Sequence, residues 1–145
     1  MGISEKSIVE LSESECWARL GTQRVGRLVT SVGEVIDVVP INFVVDGKSV
    51  VFRTAAGSKL VELTINSSVL FEVDEFDESE GWSVVVRGDA RAIESETEIA
   101  SVEKLPLTPF VSTLKPTFVR VEVEGLTGRA FEFGPEPRRE DQQEG

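Results

Sequence analysis

Apolar and polar residues alternate through most of this chain, and in only three stretches does the apolar period lengthen to that of a helix. Ser12-Glu13-Ser14-Glu15 reads as a capping box opening a short helix through Cys16, Trp17 and Leu20, with a stop near Gly21. β-Branched residues then take over. Val25 to Ser31 forms a strand pattern, Val32-Gly33-Glu34 a turn, and Val35 to Val45 a longer strand. Asp46-Gly47 is a hairpin signal leading into Ser49 to Thr54. Pro40 cannot donate to a ladder, so it marks an edge position, a bulge or a strand bend.

The second helical pattern covers Ser58 to Ile65, with Asn66 as its stop. Val69 to Val73 is a short apolar strand running into a charged loop, Asp74 to Glu78. Gly81 to Ile93 is a long strand, with Trp82, Val84, Val86 and Ala90 on one face and Arg87, Asp89 and Arg91 on the other. Thr97 to Lys104 is the third helix, followed by a proline-punctuated connection, Leu105 to Pro109. Thr117 to Val123 and Thr127 to Phe133 are expected as two strands around Glu124-Gly125-Leu126. This gives a mainly β fold of six or seven antiparallel strands with short helices at the corners and no regular βαβ alternation. A closed or nearly closed barrel is the economical solution, because it removes exposed edges. There is no internal repeat and no second domain. Residues 1–133 are expected to form one domain, and the charged, two-proline segment 134–145 a disordered tail.

Composition narrows the chemistry. A chain of 145 residues, 40% apolar, can bury roughly two thirds of its unfolded surface in one core. No apolar run approaches the roughly 20 residues of a spanning helix, and Met1 to Glu10 lacks the basic start and apolar core of a signal peptide. One cysteine forms no internal disulfide, which makes a reducing cytoplasm the expected compartment. The net charge of −11 argues against nucleic acid and anionic membranes. Histidine is absent, so Ser-His-Asp and Cys-His pairs and His-ligated zinc or haem sites cannot be assembled. Paired-carboxylate chemistry needs two sheltered acids, whereas the acidic residues here fall mainly in exposed-looking loops and helix faces. Cys16 reads as a buried helix residue with no evident base beside it. Any chemistry is expected to be borrowed from a cofactor.

The segment best suited to holding one is Phe52-Arg53-Thr54-Ala55-Ala56-Gly57-Ser58-Lys59-Leu60, which runs from a strand through small residues into a helix. An anion there would meet free backbone N–H groups and the positive end of the helix dipole. Arg53 offers a bidentate contact, Thr54 and Ser58 hydroxyls, and Lys59 a point charge. Gly57 allows close backbone approach. The alternative is a plain cap, with Ser58 closing the helix and Arg53 and Lys59 as solvated surface charges.

Val38-Val39-Pro40-Ile41-Asn42-Phe43, the hairpin after it, Val51-Phe52-Arg53-Thr54 and Gly57-Ser58-Lys59-Leu60 resemble the pyridoxamine 5′-phosphate oxidase-like family of flavin-binding split β-barrels. Gly81-Trp82-Ser83-Val84-Val85-Val86-Arg87-Gly88 is similar to the next strand of its short bacterial members, and the likeness runs from about Leu11 to Phe133. The resemblance implies FMN, or else a deazaflavin, in a groove between the two barrels of a homodimer. It also implies that Arg53, Thr54, Ser58 and Lys59 hold the phosphate. The backbone of Val39, Pro40, Ile41 and Asn42 would line the isoalloxazine edge, with Trp82 and Ser83 near the ring, from either subunit. Core or dimer packing is the competing reading for Trp82. The implied activity is an oxidoreductase acting on a small-molecule substrate by hydride transfer; a non-catalytic flavin carrier or ligand-binding barrel and a pure interaction barrel are the alternatives. Arg120 and Arg129 are present near the C-terminus, but no histidine completes the substrate-gripping pair of the pyridoxal-phosphate-producing members, which argues against that activity. The missing histidine also argues against haem, and Pro109-Phe110 stands where short members often carry Pro-Trp.

Overall fold

The computed structural model describes residues 7–55, 57–107 and 117–135, with the side chains of Ser58 and Lys59 outside that description. Pro109-Phe110 and residues 136–145 of the tail likewise lie outside the described residues. Among the described residues are eight strands and three helices: β1 (Ile8–Glu10), α1 (Glu13–Leu20), β2 (Val25–Val32), β3 (Val35–Asn42), β4 (Val44–Asp46), β5 (Ser49–Thr54), α2 (Ser58–Ile65), β6 (Ser68–Phe76), β7 (Glu80–Ala92), α3 (Glu96–Val102) and β8 (Thr117–Glu132).

The strands pair antiparallel in the order β3-β2-β6-β7-β8-β5-β4, and β1 adds to the C-terminal half of β8. The two ends of that path, β3 and β4, are separated in sequence by Phe43 alone. A sheet whose first and last strands are joined through one residue must curl round on itself, and the result is a split β-barrel. Phe43 sits at the joint. Its ring packs edge-on to Phe71 at 4.9 Å, and its backbone N–H donates to the Arg24 carbonyl.

Alternation decides what lies inside. Leu28 on β2, Val50 and Phe52 on β5, Val69, Phe71 and Val73 on β6, and Trp82, Val84 and Val86 on β7 form one buried core. A second cluster, Val51, Ile93, Val102 and Phe118, lies on the outer side of β5 and β8 beneath α3. The first helix opens as its capping box dictates: the Glu15 N–H donates to Ser12 Oγ, and the Ser12 N–H donates to the Glu15 carboxylate. It docks by Cys16 at Gly128, where a Cβ would lie 2.6 Å from the Cys16 Sγ. Only a glycine lets the helix approach β8 that closely. The Cys16 thiol is buried, which raises its pKa and keeps it protonated, with Glu15 and Glu13 acting in the same direction.

Several boundaries differ from those expected. The long Val35–Val45 strand is broken at Phe43, whose side chain turns into the core. Strand β6 continues through Asp74 and Glu75 to Phe76 because β7 pairs with it along that whole length. The last two expected strands are one: β8 runs unbroken through Glu124-Gly125-Leu126, where Gly125 faces Arg87 across a register shift in β7. The short strand β1 carries too few residues to show a period of its own. Pro40 lies on β3, an edge strand that pairs only with β2 among the described residues, as a residue without an N–H requires.

Candidate functional site

The strand β5 ends at Thr54, and three residues later the chain enters α2. Gly57 is the N-cap of this helix, with φ 157° and ψ −155°, a conformation open to glycine and costly for any residue with a Cβ. It makes no side-chain capping bond. The capping reading for Ser58 is therefore corrected, since Ser58 is the first residue inside the helix. The first helical bond runs from the Val61 N–H to the Gly57 carbonyl, leaving the N–H groups of Ser58, Lys59 and Leu60 ahead of it without a helical acceptor. Among the described residues, a Cβ built on Gly57 would meet nothing within 4 Å.

Arg53 is half-buried, its guanidinium 4.7 Å from the centre of the Phe118 ring. That contact corrects the reading of Arg53 as a solvated surface charge. The stacking sets the guanidinium plane against the ring near the strand end. Thr54 is half-buried next to it, its hydroxyl donating to the Ala55 carbonyl. The side chains of Ser58 and Lys59 fall outside the described ones, and only their positions at the start of α2 are given.

The barrel closure brings a second set of expected residues to this region. Because β5 doubles back along β4, its final residues return beside β3, and the two strands are in contact. Val39 and Ile41 turn inward onto the core, whereas Pro40 is exposed on the outer face. The Asn42 side-chain amide donates to the Arg24 carbonyl. Trp82 and Ser83 are not brought together with this group within one subunit. Phe52 pairs with Val119, and Val119 with Ala92, which lies ten residues along β7 from Trp82, or about 33 Å of strand. Trp82 is buried in the core with the Arg19 guanidinium 5.8 Å from its ring, and Ser83 lies on the outer face opposite Asp74.

Arg120 is buried, with two of its three nitrogens bonded. Its Nε donates to Glu98, and one terminal nitrogen donates to Asp46 at 2.9 Å and to the Ser49 hydroxyl at 2.6 Å. Glu98 also receives a two-pronged contact from Arg91, and these arginines, Arg91 foremost, hold its carboxyl down at about 2. The network ties α3 to β8 and to the β4–β5 turn, and it leaves Arg120 turned away from any ligand.

A further charged group was not legible in the sequence. On the outer face, Arg27 of β2 bridges Glu72 at 3.1 Å and Asp74 at 3.3 Å, both on β6. Burial first, and then the Asp74 carboxylate beside it, push Glu72 up to about 7 against the pull of Arg27. The expectation that acidic residues lie mainly in exposed loops fails here, because β6 extends through Asp74 and its period of two puts both acids on one half-buried face. That spacing was the available signal; the facing arginine comes from a strand 45 positions away. A separate concavity of about 260 Å³ lies between the end of α1 and the β6–β7 hairpin, lined by Arg19, Glu75, Trp82 and Phe131 among others. Its acidic rim suits no anion, and Asp77 and Glu75 already accept bonds from the hairpin backbone and from Gln23. Among the described residues no group of three His, Cys, Asp or Glu side chains could hold a metal, and no helix is long and apolar enough to cross a membrane.

A curled antiparallel barrel with a strand-to-helix turn at its closure places this chain among the split-barrel proteins. Residues 12–130 match the family model described as pyridoxamine 5′-phosphate oxidase, and the chain belongs to that family. A solved structure described as the FAD-binding protein from Mycobacterium smegmatis is 44% identical, with a TM-score of 0.77, covering 86% of this chain and 99% of its own. A conserved protein of unknown function from Corynebacterium diphtheriae is 43% identical, with a TM-score of 0.76, covering 87% of this chain and 99% of its own. An uncharacterised protein of Mycobacterium tuberculosis is 42% identical over 95 residues, which is 66% of this chain and 86% of that protein.

Proposed function

We propose that this chain binds a flavin nucleotide, its phosphate held by Arg53, Thr54 and the first turn of α2, with Ser58 and Lys59 contributing from the helix. The observation that carries the reading is the α2 N-terminus: a first turn that begins at Gly57, with no side-chain cap from that residue, and follows the end of β5, where Arg53 stacks on Phe118. These donors fit a phosphate group in charge and in geometry. The FAD-binding description of the 44% identical Mycobacterium smegmatis protein supports a flavin. FMN, the ligand implied by the resemblance, and FAD share the ribityl phosphate that this segment would hold. The backbone of Val39 to Asn42 would then lie along the ring, on the strand that β5 meets at the closure.

When bound, the flavin supplies hydride transfer, and we infer an oxidoreductase acting on a small-molecule substrate. The chain's own part is to bind, orient and shield, with no proton-transferring histidine needed. The locked Arg120 is consistent with a substrate other than the pyridoxamine phosphate of the family's name. We further infer a homodimer. Trp82 and Phe118 are buried, and Phe76 is exposed. Other exposed apolar side chains include Val35, Ile36 and Val38 on β3, Val61 and Ile65 on α2, and Ile8, Val9 and Phe133 towards the chain ends. The end of α2 sits against β2, the Asn66 amide donating to the Ser31 carbonyl opposite Ile36. A second copy would cover exposed apolar side chains of this kind.

The absorbance spectrum of the purified protein, followed by fluorescence titration with FMN, FAD and a deazaflavin, tests the reading. Saturable binding of a flavin is the expected result; no binding of any of the three would overturn it. Reduction of the bound flavin by NADH or NADPH separates an oxidoreductase from a carrier.

A further inference from the structure

Phe118 stands next to the start of β8 and has no part in the flavin reading above. It is the direct cross-strand partner of Arg53, whose guanidinium carbon lies 4.7 Å from the centre of its ring. The residue is 6% exposed and belongs to the outer cluster, with Val51 of β5, Ile93 just beyond β7 and Val102 of α3; Ile99 and Leu105 pack against the same group. On the strand side away from Arg53, the Phe118 carbonyl accepts from the Ile93 N–H at 2.8 Å. Further along β8, Arg120 donates to Glu98 and so fastens α3 over this cluster. The ring is therefore held in place by its own packing, independently of the arginine.

We propose that Phe118 is a positioning residue for the flavin phosphate, its ring ordering the Arg53 side chain before the ligand arrives. The inference rests on the reading that Arg53 contacts that phosphate, and it deepens that reading by naming the group that sets the contact. An arginine near a strand end has several rotatable bonds, and ordering such a side chain on binding costs affinity. A neighbour that orders it beforehand removes part of that cost.

The chemistry of the neighbour matters. A carboxylate partner, as at Arg120, takes up N–H donors and offsets the positive charge that attracts a phosphate. A phenyl ring attracts the cation through its π-electrons and carries no formal charge. The contact with Phe118 thus restrains the guanidinium without occupying its donors as a carboxylate would. A leucine or methionine at this position would keep most of the buried apolar volume and lack the π-face. General damage to packing and loss of positioning then separate cleanly. FMN and riboflavin share the ring system and the ribityl chain and differ in the phosphate, so the ratio of their affinities isolates phosphate recognition.

Fluorescence titration of the full chain with FMN and with riboflavin tests the proposal, with circular dichroism confirming the fold of each variant. Wild type is expected to bind FMN more tightly than riboflavin. Phe118→Leu is expected to lower that preference roughly 3- to 10-fold, the cost of ordering one long side chain, with riboflavin affinity near wild type. Phe118→Met is a second ringless variant with the same expectation. In an Arg53→Ala background, Phe118→Leu is expected to lower the preference no further, because Phe118 acts through Arg53. A folded ringless variant that keeps the wild-type preference overturns the positioning role and leaves the flavin site standing. So does a loss shared equally by FMN and riboflavin, or one of equal size with and without Arg53. A wild-type chain that binds neither flavin, or binds both equally, removes the phosphate reading and the positioning role together.

Discussion

Arg53 and Arg120 stand on neighbouring strands, two positions apart in the same ladder, since Arg120 faces Val51 and Arg53 faces Phe118. Their surroundings differ. Arg120 is covered by α3 and the β4–β5 turn, and it donates to Glu98, Asp46 and Ser49. Arg53 lies one turn of the pleat further along, near the end of β5, and its guanidinium rests on the Phe118 ring. A buried arginine with its donors matched by carboxylates and a hydroxyl holds elements together. Arg53 instead lies at the strand end that leads into α2, with its guanidinium over the Phe118 ring. The difference is one of position along the barrel: the middle of a strand is enclosed by its neighbours, and its end is not.

The sharpest way to break this comparison is to remove the enclosed partner. Arg120→Met leaves the carboxylates of Asp46 and Glu98 without their buried partner and should cost about 3 kcal/mol, roughly 10 °C in melting temperature. Flavin affinity measured well below that temperature should be unchanged; a variant as stable as wild type would show that the network is ornamental.

At the open end the effects are smaller in stability and larger in binding. Gly57→Val forces a β-branched residue into a glycine conformation, and because no atom lies within reach of the new Cβ the cost is torsional, about 1–3 kcal/mol. Flavin titration should show weakened binding as the first turn of α2 shifts. Arg53→Ala should weaken flavin binding roughly 10- to 100-fold through the lost charge-assisted bond. Equal affinity in the variant would remove Arg53 from the site.

Two carboxylates sharpen the contrast through pH. Glu98 is held at about 2, below its unfolded value of 4.5, so the stability it contributes is present above 4.5 and is lost as pH falls toward 2. Glu72 is raised to about 7, so the stability linked to its protonation is present below 4.5 and is lost as pH rises through 7. Denaturant midpoints against pH should therefore lose their acid-side slope in Glu98→Gln and their slope between 4.5 and 7 in Glu72→Gln. Either variant tracking wild type would show that its carboxyl does not titrate as placed.

Much of this was readable from local pattern. The capping box at Ser12, the turns at Gly33 and Gly47, the alternation of β7 and the edge placement of Pro40 all rest on interactions within a few residues, and each is found where the pattern puts it. The candidate segment was legible for the same reason, since a strand, small residues and a helix start are adjacent in the chain. The errors fell where a distant strand decides the outcome. Glu124-Gly125-Leu126 looks like a turn in isolation, yet it stays in β8 because the 13 residues of β7 pair with both of its halves. Asp74 looks like loop until β7 pairs with it.

The sequence by itself determined the three helices, most of the strands, the barrel they imply, and a chemistry without histidine, because period, capping and composition are properties of neighbouring residues. Only the tertiary structure decided which charges meet. Arg27 reaches Glu72 across 45 positions, and Arg120 reaches Asp46 across 74. Those pairings follow from the register of strands, and register is set when the barrel closes and one face of every strand is buried at once.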